Sequence, residues 1–100
     1  MGWAINNIIS LLDGKTVQFR PHGNSMLPRI KSGDLCTVEP ISDHSNIHAG
    51  DVVLCKVRGK EYLHLVSATR DGRFQVSNNN GFVNGWVGPQ SVYGKLVKVE

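Results

Sequence analysis

The sequence has no long apolar run, no block of like charge and few cysteines, and each lack closes off a class of function. No segment approaches the roughly 20 apolar residues that a membrane-crossing helix needs. The start, Met1-Gly2-Trp3-Ala4-Ile5-Asn6, lacks the basic stretch and continuous apolar run of a secretory signal. It also lacks the Ser or Thr at position 6 that a myristoylation site uses. A cytoplasmic, reducing location is the expectation. The two cysteines, Cys36 and Cys55, are too few for a disulfide scaffold and do not have metal-type spacing. Each sits in an apolar run, where a buried free thiol acts as a small hydrophobe. Eleven Lys and Arg face eight Asp and Glu, for a net charge of +3. They are spread along the chain, and the one cluster, Lys56, Arg58 and Lys60, reads as a solvated strand face near a turn. Nucleic-acid binding would need a stronger basic footprint or a recognised motif, and none is expected. His44 and His48 are four apart beside Asp43, but the segment reads as a loop with no third ligand. No metal and no cofactor are assigned.

The 100 residues suffice for one small domain around one core. Residues 1–14 form an N-terminal helical part and residues 15–100 a β part. Over residues 3–12, Ile5, Ile8, Ile9 and Leu12 fall at i, i+3, i+4 and i+7, one apolar stripe of a helix. Asp13-Gly14 stops it. The stripe is expected to dock on the core, since a role at a membrane surface would call for Lys or Arg, which the helix lacks.

From there the pattern is β. Strands are expected at residues 16–20, 35–39, 52–57, 62–69, 74–76 and 91–99, with a turn at Arg58-Gly59-Lys60 and a hairpin at Asp71-Gly72. Residues 41–50 and 78–88 read as loops, the second rich in turn formers at Asn78-Asn79-Asn80-Gly81. Short strands at close spacing predict an all-β fold, a small coiled-sheet or barrel-like domain with one short N-terminal helix.

The chemistry concentrates in Gly23-Asn24-Ser25-Met26-Leu27-Pro28. A serine just past a strand end, in a bend opened by Gly23 and closed by Pro28, exposes its hydroxyl. The same bend leaves backbone N–H groups free to act as an oxyanion hole. Taken alone, such a serine reads as a turn residue or a helix cap.

The segment, followed by Ser32-Gly33-Asp34-Leu35 and a β run, resembles the nucleophile box of type I signal peptidases and LexA-type self-cleaving repressors. Their pattern is Gly-x-Ser-Met-x-Pro, then Gly-Asp and a strand. Gly50-Asp51-Val52-Val53-Leu54 resembles the family's second Gly-Asp strand. Glu61-Tyr62-Leu63-His64-Leu65-Val66 resembles the strand that carries the general base. Trp86-Val87-Gly88-Pro89 and Tyr93-Gly94-Lys95-Leu96-Val97 resemble the closing segment. The resemblance covers roughly residues 16–99.

It implies the β fold above and a serine peptidase with Ser25 as nucleophile. Most of the family uses a lysine base, but here His64 stands at that place, as in the histidine-using subset. Histidine removes a serine proton near neutral pH without the desolvation a lysine needs. Read without the resemblance, His64 is a strand histidine between two leucines. Lys56 and Lys60 are fallback bases. The Asp that orients the base in the histidine-using members is matched by Asn79, with Asp71 as an alternative explained by its hairpin turn. The resemblance places Gly23, Asn24, Met26 and Leu27 around the oxyanion hole and cleft, with the hole resting mainly on the Ser25 N–H.

The expected partner is an extended peptide or protein substrate, from which a leader or pro-segment is cut. The chain reads alternatively as a catalytically inactive peptide- or protein-binding module of the same fold, which Asn79 and Leu65 favour because the family often has Asp and Arg there. It also reads as a self-cleaving regulator, although Ala49-Gly50 lies after the nucleophile and just before a strand. The sequence is silent on oligomeric state.

Overall fold

The computed structural model describes residues 3–100. Met1 and Gly2, the first residues of the expected N-terminal part, lie outside the described residues. Helix α1 is Ile5–Leu12, two residues shorter at its start than the apolar stripe predicts. The strands are β1 Val17–Phe19, β2 Cys36–Pro40, β3 Val52–Val57, β4 Lys60–Arg70, β5 Arg73–Ser77, β6 Val83–Val87 and β7 Val92–Val99, with single 3₁₀ turns at His44–Asn46 and Pro89–Ser91. All seven form one antiparallel sheet in the order β1-β2-β7-β3-β4-β5-β6. The end strands do not pair, so the sheet is open, and the all-β expectation with one short helix holds.

The hairpins follow from local chemistry. Arg58-Gly59 and Asp71-Gly72 have positive φ at both positions, the two-residue turn whose twist suits antiparallel strands. Lys60 therefore pairs with Val57 as the first residue of β4. Strand β6 is a correction to the loop expected at residues 78–88. Asn84 and Gly85 are poor strand formers, but this segment pairs with β5 across a register shift at Val76/Ser77. Tertiary pairing overrides its propensity.

The alternation of β3 organises the core. Val52 and Leu54 enter one cluster with Leu11, Met26, Ile30, Cys36, Val38 and Leu63. Val53, Cys55 and Val57 enter a second with Val66, Phe74, Val76, Val87 and Val92. Successive side chains of a strand point to opposite faces, so β3 carries an apolar layer on each side. The helix docks through Ala4, Leu11 and the partly buried Ile8, while Ile5, Ile9 and Leu12 stay exposed. The docked face is thus offset from the predicted stripe. Among the described residues no helix is long and apolar enough to cross a membrane.

Both cysteines are free and buried. Burial pushes the Cys55 thiol up to about 12, and burial followed by the charge of Asp34 raises that of Cys36. A water-soluble alkylating reagent should leave both thiols unmodified in the folded protein and label both in denaturant, as mass spectrometry will show.

Gly94 on β7 marks the closest approach between helix and sheet. A Cβ there would lie 2.6 Å from Val38 Cγ1, 2.9 Å from Leu11 Cδ1 and 3.0 Å from the Glu39 carbonyl oxygen. Gly94→Ala should therefore destabilise the fold by about 1–3 kcal/mol, read as a lowered midpoint in chemical denaturation.

Candidate active site

Ser25 lies in the long connection between β1 and β2. The turn is pinned from inside by Met26 and Ile30, both buried in the first cluster, and the Ile30 N–H donates to the Met26 carbonyl at 2.9 Å. Gly23 has φ +117°, a conformation that residues with a side chain rarely adopt, and its N–H donates to Ser32 Oγ at 3.3 Å. Ser25 is left exposed. Among the described residues nothing accepts a hydrogen bond from its N–H.

His64 projects from β4 and is only 6% exposed. Its ring stacks at a tilt on Tyr62, with centroids 4.6 Å apart. Nε2 lies 3.1 Å from Ser25 Oγ and Nδ1 lies 2.8 Å from Asn84 Oδ1. An amide oxygen is an acceptor, so the ring proton sits on Nδ1 and Nε2 presents its lone pair to the serine hydroxyl. Burial pushes the histidine below its ordinary value of 6.5; the Asn84 hydrogen bond opposes this, and the positive charge of Lys60 adds to it. The imidazole is therefore neutral at neutral pH, the form that takes up a proton.

Asn84 corrects the assignment of Asn79. The Asn79 N–H donates to the Ser25 carbonyl at 2.9 Å, and its Nδ2 donates to the Leu27 carbonyl at 2.8 Å. Asn79 thus ties down the serine turn, and the partner of His64 comes five residues later, on β6. Counting along the loop after β5 misses it because the loop runs into an unrecognised strand. The signal present in the sequence is an amide between Val83 and Trp86 in a short apolar run.

The remaining candidates separate. Gly23 and Met26 line, with Ser25, His64 and Tyr62, a cleft of about 430 Å³. Asn24 and Leu27 share the turn but do not line that cleft, because the inward position is taken by Met26 and both face solvent. Lys56 pairs with Glu61 at 3.6 Å. The Lys60 ammonium lies 5.6 Å from the Tyr62 ring centroid. Asp71 occupies its hairpin turn at φ +50°. His44 Nε2 donates to the Val92 carbonyl at 2.8 Å. Among the described residues no three metal-ligating side chains gather.

The family model described as Peptidase S24-like matches residues 6–96. The chain belongs to the Peptidase S24-like family. No curated protein matches the chain. Membership in the S24-like family places it among serine peptidases and LexA-like domains, a group that includes non-catalytic members. The exposed serine turn and the buried histidine of this S24-like chain both lie inside the matched span.

The two asparagines are separable by experiment. In an NMR titration, Asn84→Asp should raise the His64 pKa, because a carboxylate stabilises imidazolium, and Asn84→Ala should lower it by removing the hydrogen bond. Asn79→Ala should leave that titration in place and cost about 1 kcal/mol of stability for its lost side-chain hydrogen bond.

Proposed function

We propose that this protein is a serine endopeptidase in which Ser25 is the nucleophile and His64 the general base. The observation that carries the reading is the 3.1 Å approach of Ser25 Oγ to His64 Nε2, with the ring proton directed to the opposite nitrogen by Asn84. His64 removes the hydroxyl proton as Oγ attacks a peptide carbonyl. The negative charge on the tetrahedral oxygen is met by the Ser25 N–H. The imidazolium then protonates the leaving amine, and water resolves the acyl-enzyme by the same steps in reverse. Asn84 is a positioning residue, holding the tautomer as the asparagine of Cys–His–Asn sites does. The substrate is an extended peptide segment, such as a leader or pro-segment of a partner protein, laid in the cleft beside Ser25.

A second reading has one observation in its favour. Asn84 is an amide where a carboxylate would stabilise imidazolium more, which suits a domain that binds peptide without cutting it. Self-cleavage at Ala49-Gly50 has less support. The Gly50 N–H donates to the Val66 carbonyl at 2.8 Å, and the Gly50 carbonyl accepts from Arg29 Nη1 at 2.8 Å, so both sides of that glycine are engaged in a turn.

Digestion of a peptide library, read by mass spectrometry, tests the peptidase. Ser25→Ala and His64→Ala should each lower kcat/KM by about 10³-fold or more while remaining folded. The neutral imidazole is the active form and its pKa is depressed, so activity should climb with pH through a range below 6.5 and be flat by neutrality. Stability should share the sign. It is full above 6.5, where His64 is neutral folded or unfolded, and declines as pH falls toward the folded value, because the unfolded chain protonates first. Wild-type protein that cuts nothing, with both variants folded, would turn the assignment to the binding module.

A further inference from the structure

The cleft beside Ser25 adjoins a second cavity that carries Asn84, the exposed Phe82 just before β6 and the exposed Val83 and Trp86 of β6, and the two share Lys60 and Tyr62. Ser25 and His64 line the first and Asn84 the second, so the His64–Asn84 hydrogen bond links the two cavities. The charge along this groove is one-sided. Arg20 and Lys31 line the first cavity, Arg58 the second and Lys60 both, against a single carboxylate, Glu61. Over the whole chain the two signs are much closer, at eleven and eight. Glu61 is held by Lys56 at 3.6 Å. Among the described residues none of the four groove cations has a carboxylate within ion-pair distance.

Lys60 is tied to the candidate base through Tyr62. Its ammonium sits 5.6 Å from the Tyr62 centroid, and that ring lies 4.6 Å from the His64 ring. The ammonium is thus within about 10 Å of the imidazole, a distance that about three residues of extended chain would span. Its charge is felt at His64, where it opposes protonation. An anionic side chain seated on Lys60 would find an unmatched cation, an aromatic ring below it and no carboxylate to repel it but the already paired Glu61.

We propose that the groove selects extended peptides with an acidic side chain within three residues of the bond presented to Ser25, and that Lys60 is the residue that reads it. This specificity rests on the peptide-cleft reading given above but does not require the cleft to cut. The partner segment is therefore acidic, in keeping with the charge of the groove.

Fluorescein-labelled decapeptides on an Ala-rich frame, carrying Glu, Gln or Lys at one position scanned along the frame, provide the test. Binding is measured by anisotropy on Ser25→Ala protein, and the same frames are digested by wild type. At one scanned position the Glu peptide should bind about fivefold more tightly than its Gln twin at low salt, with the gap closing at high salt. Lys60→Gln should erase the gap and Lys60→Glu should turn the preference toward Lys, an inversion that a merely structural role of this exposed residue would not produce. Equal binding of the Glu and Gln twins at every position overturns the proposal, as does a preference that survives Lys60→Glu. Cleavage with no Glu preference removes the specificity and leaves the peptidase. A Glu preference in binding with no cleavage does the reverse.

Discussion

The burial of β3 on both faces is the constraint that the rest of the molecule answers to. With Val52 and Leu54 in one apolar layer and Val53 and Cys55 in the other, this strand cannot slip by one residue without exchanging its two sets of side chains. Its neighbours inherit that register. His64 pairs with Val53 across the β3–β4 ladder, flanked by Leu63 and Leu65, which pack with the first cluster. Turning the imidazole away from Ser25 would mean lifting both leucines out of that layer. The position of the candidate base is thus fixed by hydrophobic burial, and the polar contacts at the ring only set its rotation and tautomer.

Those polar contacts are complete. Among the described residues no buried side-chain nitrogen or oxygen lacks a hydrogen-bond partner, so His64 is carried in a partly dry site without an orphaned donor or acceptor. Burial keeps the ring neutral, and Asn84 gives it direction without adding charge. A carboxylate in its place would hold the ring equally well and raise its basicity. In the proposed reaction, the amide leaves the burden of stabilising charge more heavily on the backbone of the serine turn.

Most of the architecture was legible because it rests on local rules. The two hairpin turns were marked by Arg58-Gly59 and Asp71-Gly72, and β3 by its run of apolar residues. The serine turn was marked by Gly23, Ser25 and Pro28, and the resemblance placed His64 on the strand that reaches it. Strand β6 was not legible, since Asn84-Gly85 has loop composition and becomes a strand only by pairing with β5. The misplaced orienting residue follows from that one omission. Counting from β5 reached Asn79, an amide of the right type whose hydrogen bonds run to Ser25 and Leu27 instead. The face on which α1 docks was also unreadable from its stripe. The helix is apolar around more than half its circumference, and only the gap at Gly94, which admits Leu11, decides which side goes in.

Asn79 and Asn84 belong to one continuous stretch between β5 and the end of β6, yet one anchors the serine turn and the other the imidazole. The candidate nucleophile and candidate base, which come from distant parts of the chain, are therefore referenced to the same short segment. If this segment shifts as a body, both groups shift together and their separation is preserved. If its length changes, the reference is lost, because one added residue between the two asparagines would throw Asn84 to the opposite face of β6. Apart from the two asparagines, exposed side chains of this segment make no hydrogen-bonded contact with either group, but its residue count is locked to the spacing of two groups that it does not itself contain.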